Sequence, residues 1–366
     1  MIFAQVVAVG AGAVLMLVTL ASAIRAVVVP RGEHVALTRW TTGAVRWVSV
    51  RVARRASTAE RRELILARSA PIGLMLLPLL WSALIILGCA LMFWGFDTDR
   101  SVTDAFALSG SSLTTLGIRS ADDVASISLA VFEALLGLGI MALLISFLPT
   151  MYSAFSAREV PVAKLFLRVN GPRGEPDQAA MLIRWWAVGA VDQLPELWAE
   201  WEDWFISLQE SHTSFPALVF FRSPNPNRSW ITAAGLALDQ ASLMLSAVDV
   251  ETEPRAALMI RTGTLSLREV ADYFEIQHDT DPAPTDPVSV SREELFAVCD
   301  ELAAAGVPVR ADREQAWRDF QGWRVNYDTV LLELCRLIEA PPAPWSSDRV
   351  DTMIDDMGVS DGDLGR

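Results

Sequence analysis

The residues whose types and spacing carry the most chemistry lie between positions 97 and 123, in the order DTDRSVTDAFALSGSSLTTLGIRSADD. The stretch 104–118 is apolar and rich in small side chains but has only 15 residues, too few to cross a bilayer as a helix and suited to a re-entrant segment. Non-helical backbone at membrane depth survives only where protein buries it or where it lines a water-filled cavity. A short helix over 104–112 followed by Thr114-Thr115-Leu116-Gly117 meets that requirement. A second candidate is the loop FFRSPNPNRSW at 220–230, where Arg222, Asn225, Asn227 and Arg228 could clasp an anionic ligand. More often such a stretch is a Pro-rich turn leading to a helix cap at Ser229. Three cysteines (Cys89, Cys299, Cys335) and three histidines (His34, His212, His278) share no metal-ligand spacing, so neither a zinc site nor a disulfide framework nor a c-type haem motif is expected. No Walker or Gly-x-Gly-x-x-Gly motif and no nucleophile–base–orienter cluster is present, so no cofactor and no enzymatic activity are expected.

The elements that must position these residues follow from hydropathy and charge. The chain has 366 residues, 52% of them apolar, and its mean hydropathy of +0.32 is too high for one soluble domain. Residues 1–155 carry 12 Arg against 9 Asp or Glu, whereas residues 156–366 carry 18 Arg or Lys against 35 Asp or Glu. A membrane half therefore precedes an acidic soluble half, which would repel nucleic acid. Three runs are long and apolar enough to span a bilayer: 2–24 and 71–96 without charge, and 124–152 with Glu133 alone. The first lacks the basic n-region of a signal peptide and is expected to remain as an anchor. Between the first two runs, residues 30–70 hold nine Arg at 31, 39, 46, 51, 54, 55, 61, 62 and 68. Arg-rich short loops stay in the cytoplasm, so the N-terminus is expected outside and the acidic half inside. Trp40, Val45, Val48 and Val52 recur at helical spacing among those arginines, as in a basic helix lying on an anionic inner leaflet; an ordinary positive-inside linker reads equally well. Lys164 is the only lysine among 30 basic residues, a bias of GC-rich bacterial genomes.

Span, short helix, Thr114-Thr115-Leu116-Gly117 and inner span together resemble the potassium-channel pore family over residues 71–157. In that family four subunits each contribute Thr-Val-Gly-Tyr-Gly, whose carbonyls replace an ion's hydration shell. The resemblance implies an all-α membrane protein: three transmembrane helices, a re-entrant pore loop between the second and third, and a mostly helical cytoplasmic domain. It also implies a homotetrameric bacterial inner-membrane channel for K+ or Na+. Thr115, Leu116 and Gly117 take the first three filter positions; Ile118 replaces the aromatic and Arg119 the second glycine, so selectivity is expected to be relaxed. A side-chain-bearing residue adopts that glycine's conformation at a cost of about 1–2 kcal/mol. Asp122 and Asp123 would leave the outer mouth net negative despite Arg119. Gly137 and Gly139 are candidate bending points of the inner helix. Glu133 is expected either to pair with Arg119 behind the filter or to lie solvated near the outer interface. Rival readings are a non-conducting sensor or scaffold with a degenerate pore, favoured by Arg119, and a membrane-tethered enzyme.

The expected organisation is a peripheral span at 1–29, an Arg-rich linker helix at 30–70, and a pore module at 71–157. That module divides into an outer helix at 71–96, pore helix and filter at 104–119, and inner helix at 124–157. There follow a helical domain at 158–278, a Pro-rich linker at 279–290, a helical segment at 291–339 and an acidic mobile tail at 340–366. Helices are expected over 178–189, 193–212, 229–248 and 255–276, with a capping box at Ser291 and Glu294 opening a helix to Ala305 and a last long helix over 313–339. The tryptophans at 198, 201 and 204 read as helix packing. The alternation at 160–170 reads as a strand.

Overall fold

A computed structural model describes residues 2–27, 36–97, 99–169, 177–250 and 253–350. Arg31, His34, Asn170 and the stretch 351–366 of the acidic tail lie outside the described residues. The chain divides into two compact units, Met1–Ser153 and Ala154–Arg366. Every regular element among the described residues is helical; the nearest thing to a sheet is an isolated antiparallel bridge between Val248 and Val309.

α1 (Ile2–Val27) and α3 (Ala59–Phe96) of the first unit, and α5 (Val124–Val169), which begins in it, are long and apolar enough to cross a membrane. α1 runs antiparallel to α3 on small residues. A methyl group at Gly12 would sit 2.3 Å from the Gly88 carbonyl oxygen, and one at Gly95 would meet Val9 and the Gln5 carbonyl. Such close backbone approach is how apolar helices gain contact where lipid offers no hydrophobic drive. α2 (Ala36–Ala53) packs along the first part of α3, with Thr42 and Val45 against Gly73. That contact explains why α3 begins at Ala59 rather than near 71. Thr58 caps it, accepting from the Arg61 N–H at 3.2 Å, Leu66 is buried, and Pro71 and Pro78 are carried inside the helix. α4 (Val102–Leu113) begins two residues before the expected 104, because Ser101 caps it.

α5 has 46 residues, about 69 Å at 1.5 Å per residue, more than twice a hydrocarbon core of about 30 Å. The strand expected at 160–170 is therefore absent, since helix continues to Val169. Val162, Leu165, Phe166 and Val169 are the buried positions, and their spacing of 3, 1 and 3 is a helical stripe.

The second unit surrounds α8 (Trp230–Ser246), in which every residue except Leu245 is buried. A helix apolar all round belongs in a core. Around it stand α6 (Ala180–Ala187), α7 (Leu194–Ser214), α9 (Pro254–Tyr273), α10 (Arg292–Ala304), α11 (Arg313–Arg324) and α12 (Asp328–Ile338). The capping box at Ser291 and Glu294 is formed. Trp198, Trp201 and Trp204 are buried as packing residues, Trp201 and Trp204 meeting edge-on with centroids 4.7 Å apart. The single helix expected over 313–339 is broken at 325–327. The Asn326 side chain donates to the carbonyls of Gly322 (2.8 Å) and Trp323 (3.2 Å), competing with the helical ladder. The break seats Tyr327 and Asp328 with Arg324 against α8: Arg324 bonds Asp239 at 2.5 Å, Asp328 at 2.7 Å and the Trp345 carbonyl at 2.6 Å. The stretch 279–290 is not a free linker, because Asp328 holds Ser289 and Gln321 holds the carbonyls of Thr285 and Asp286. Nor is 340–350 a mobile tail, since Trp345 is buried and Pro344 accepts from Gln178.

Two predictions follow from this packing. Gly12→Ala should lower the stability of the full chain in detergent by about 1–3 kcal/mol through overpacking. Gly10→Ala, where nothing lies within 4 Å, should leave the melting midpoint unchanged. The second prediction concerns His212, which is wholly buried. Its Nε2 lies 3.2 Å from Arg158 Nη1 and its Nδ1 lies 3.1 Å from Ser211 Oγ. Burial first, and then the Arg158 charge, push its pKa well below 6.5. Below pH 6.5 the unfolded chain takes up a proton that the folded chain refuses, so stability falls with falling pH by up to about 1.4 kcal/mol per unit. Thermal melts at pH 7.5 and 5.5 should show a smaller difference in His212→Gln than in the natural chain.

Candidate functional site

The segment singled out in the sequence follows α4 directly, and α4 is held at three places. At its start, Ser101 Oγ accepts from the Asp104 N–H at 3.0 Å and donates to the Asp104 carboxylate at 2.7 Å. Along its middle, Ala105, Leu108 and Leu113 join Ile85, Cys89 and Phe93 of α3 in one buried cluster. Ser109 Oγ sits 3.0 Å from the Ile86 carbonyl and 2.5 Å from Glu133 Oε1 of α5. At its end, Gly137 of α5 leaves only 1.9 Å between a would-be methyl and the Leu113 carbonyl oxygen. Gly137 is thus a point of close packing rather than a free bending point. Gly139 meets nothing within 4 Å.

Glu133 is fully buried. Both expectations for it are overturned: it neither pairs with Arg119 nor lies solvated, because Ser109 projects from α4 straight onto it. Arg119 instead reaches back to the start of the same short helix, with Nη2 3.2 Å from Asp104 Oδ1. Each of these side chains is about half exposed, so the pair adds little stability, but it sets a negative charge against the Arg119 guanidinium.

After Leu113 the backbone closes a Schellman turn. Thr115 takes φ +55, its N–H bonds the Ser112 carbonyl at 3.0 Å, and the Leu116 N–H bonds the Ser111 carbonyl at 2.9 Å. Thr114 N–H bonds Gly110 O, and the Arg119 N–H bonds Ser111 Oγ at 3.2 Å. Gly117 also has positive φ, +70, but Arg119 does not, so the strain expected at the second-glycine position is absent and falls on Thr115. Four N–H donors between 114 and 119 are thus spent, while no hydrogen bond to the carbonyls of Thr114, Thr115, Leu116, Gly117 or Ile118 is found among the described residues. All six residues 114–119 are exposed in the single chain, Leu116 at 64% and Ile118 at 68%. A segment with four of its six N–H donors engaged and five of its carbonyl oxygens free favours cations over anions.

Asp122 is exposed. Asp123 binds the Ser126 N–H at 2.8 Å at the start of α5, and those Ser126 bonds hold its carboxyl below the usual range. Sequence reasoning missed Arg100, which ties the α3 end to the α5 start through the Phe93 carbonyl (3.3 Å), Ser126 (3.3 Å) and Asp123 (3.9 Å). It also missed Ser109 and Asp104 as partners, although the Ser101-x-x-Asp104 spacing is a capping signal.

In the second unit, the loop of the four candidate ligand residues is engaged in the fold. Arg222 Nη2 donates to the carbonyls of Ile338 (2.6 Å) and Glu339 (2.7 Å), closing the α12 C-terminus. Arg228 lies 5.8 Å over the Phe166 ring, and Asn225 turns the loop by accepting from the Asn227 N–H. Ser229 stands at the N-cap of α8 without a side-chain cap bond. Among the described residues no group of three His, Cys, Asp or Glu side chains is placed to hold a metal.

No family model matches the chain, and no curated protein and no solved structure matches it.

The seat of α4 is testable apart from any activity. Ser109→Ala strips a buried carboxyl of its partner and should cost about 1–3 kcal/mol in detergent melts. Ser112→Ala removes only a bond to the Leu108 carbonyl of its own helix, and its midpoint should move by less than about 0.5 kcal/mol.

Proposed function

We propose that this chain is one subunit of a homotetrameric cation channel of the bacterial inner membrane, with the 114–119 segment lining the path of K+ or Na+. The observation that carries the reading is the row of unengaged carbonyl oxygens from Thr114 to Ile118, set after a short helix between two long apolar helices. One such row encloses nothing by itself; several copies around an axis would give a dehydrating ion layers of oxygen. The exposed Leu116 and Ile118 support assembly, since side chains of that kind call for cover. The fourfold number, the outside N-terminus and the cytoplasmic placing of the acidic unit rest on the family resemblance and the Arg-rich 30–70 stretch. With Ile118 and Arg119 in place of an aromatic and a glycine, the inner oxygen layers are retained and the outer ones altered, so K+ and Na+ are discriminated weakly. Gly139, free of neighbours within 4 Å, is the bending point of the inner helix in this reading. The acidic unit regulates the opening.

A non-conducting sensor is the second reading, favoured by Arg119 at the segment's end. Ion flux in liposomes containing the purified tetramer separates the two, with K+, Na+ and Cl− gradients compared in parallel. Cation flux without chloride flux is expected. Asp104→Asn leaves Arg119 uncompensated and should lower cation flux by about tenfold, the effect of roughly 1.4 kcal/mol at the barrier. Adding Arg119→Gln should restore much of it. No flux in any gradient from intact tetramer at varied pH and voltage turns the reading to the sensor.

A further inference from the structure

α2 has two faces, and only one is covered. Toward α3, Leu37 packs against the cluster of Ala23, Leu77 and Trp81, Thr42 and Val45 meet Gly73, and Ala53 is buried. The opposite stripe, at helical spacing, holds Arg39, Trp40, Trp47, Val48, Arg51 and Val52, all exposed. Trp40 is 76% and Trp47 61% exposed. Arg51 lies over the Trp47 ring at 4.9 Å. Residues 36–55 contain five Arg and no Asp or Glu, and Arg54 and Arg55 are exposed just beyond the helix. Indole rings interleaved with the exposed guanidinium groups of Arg39, Arg51, Arg54 and Arg55 suit a boundary where apolar and anionic surroundings meet.

We propose that this face of α2, together with Arg54 and Arg55, binds the headgroups of anionic phospholipids. The guanidinium forks take phosphate oxygens in paired hydrogen bonds, and the two indoles lie at the headgroup level. Because α2 packs lengthwise on α3, the face is a ridge carried on the side of a long apolar helix, not a helix resting free on a surface. The inference rests on the reading that the long helices span a membrane, and it does not depend on conduction.

The test counts lipids held by the full-length protein after purification from an equal mixture of phosphatidylcholine and phosphatidylglycerol, by native mass spectrometry. The natural chain should retain phosphatidylglycerol over phosphatidylcholine by at least about fivefold. That preference should vanish after a wash in 1 M salt, which screens charges beyond about 3 Å. The variant R39Q/R51Q/R54Q/R55Q should retain at least about threefold less phosphatidylglycerol. The matching Lys variant keeps the charge and should retain most of it. If the natural chain shows no preference, the proposal falls, and it falls equally if the Gln variant holds as much as the natural chain, as it would were a second copy of the chain covering this face. Should the Gln variant fail to fold, the salt wash of the natural chain decides alone. Flux plays no part in any of these readings, so a silent channel with a clear lipid preference would overturn the proposed function and leave this inference standing.

Discussion

A 12-residue helix is too short to persist by itself in water, and the oxygen-rich segment of this chain is only as ordered as the helix before it. What fixes α4 is the contact of Ser109 with Glu133, reinforced by the Gly137 backbone pressed on the Leu113 carbonyl. A carboxyl group among apolar helices is expensive and is kept where it has a job. Here it meets a hydroxyl from the neighbouring short helix, which sets the rotation of α4. Gly137, one turn further along α5, sets its depth. With rotation and depth set, the Schellman turn at 114–116 can present residues 114–119 in only one way. Arg100 closes the frame by joining the α3 end to the α5 start.

The second unit solves a different problem. Its central helix α8 is buried nearly throughout, and yet it carries Asp239, Gln240 and Ser242. Burying Asp239 is tolerable because Arg324 and Tyr327 both reach its Oδ1, and because Arg324 is itself shared with Asp328. Replacing such a network by apolar side chains is often neutral, whereas removing one member leaves an unpaired buried charge. The network therefore says more about which helices meet than about how much they stabilise. It brings α8, α11, α12 and the strap at Ser289 to one point. The surplus of acidic side chains stays on the surface, where water and salt screen it.

Much of this was legible in the sequence. The three long apolar runs, the short helix between the second and third, and the Ser291 box all arise from local patterns that one residue type in the wrong place would spoil. Features that depend on tertiary contact were not legible. Val160 and Val162 open on a strand's alternation, whereas Val162, Leu165, Phe166 and Val169 form a helix's stripe that becomes plain once their packing is known. The break after Arg324 is made by Asn326 bonding back to its own helix, a choice that helix periodicity does not reveal. Gly137 and Gly139 look alike as two glycines in one apolar run, but one faces a carbonyl oxygen and the other faces open space. The partner of Glu133 lay 24 residues upstream as one serine among several, and Asp104 competed unseen for Arg119.

Thr115 is where these constraints and the proposed function meet. The turn after α4 needs a left-handed residue, and glycine would take that place at no steric cost. A β-branched threonine stands there instead, at φ +55, at a cost of about 1–2 kcal/mol. Gly117, only two residues on, shows that the chain uses glycine where its conformation demands it. Such strain persists where the surrounding structure enforces it and the side chain is used. Thr115 brings a hydroxyl oxygen beside the free carbonyls of its neighbours, and glycine would relax the backbone while deleting that oxygen. In the proposed function the strained residue and the unengaged oxygens are one feature, a backbone set so that its acceptors face a cation.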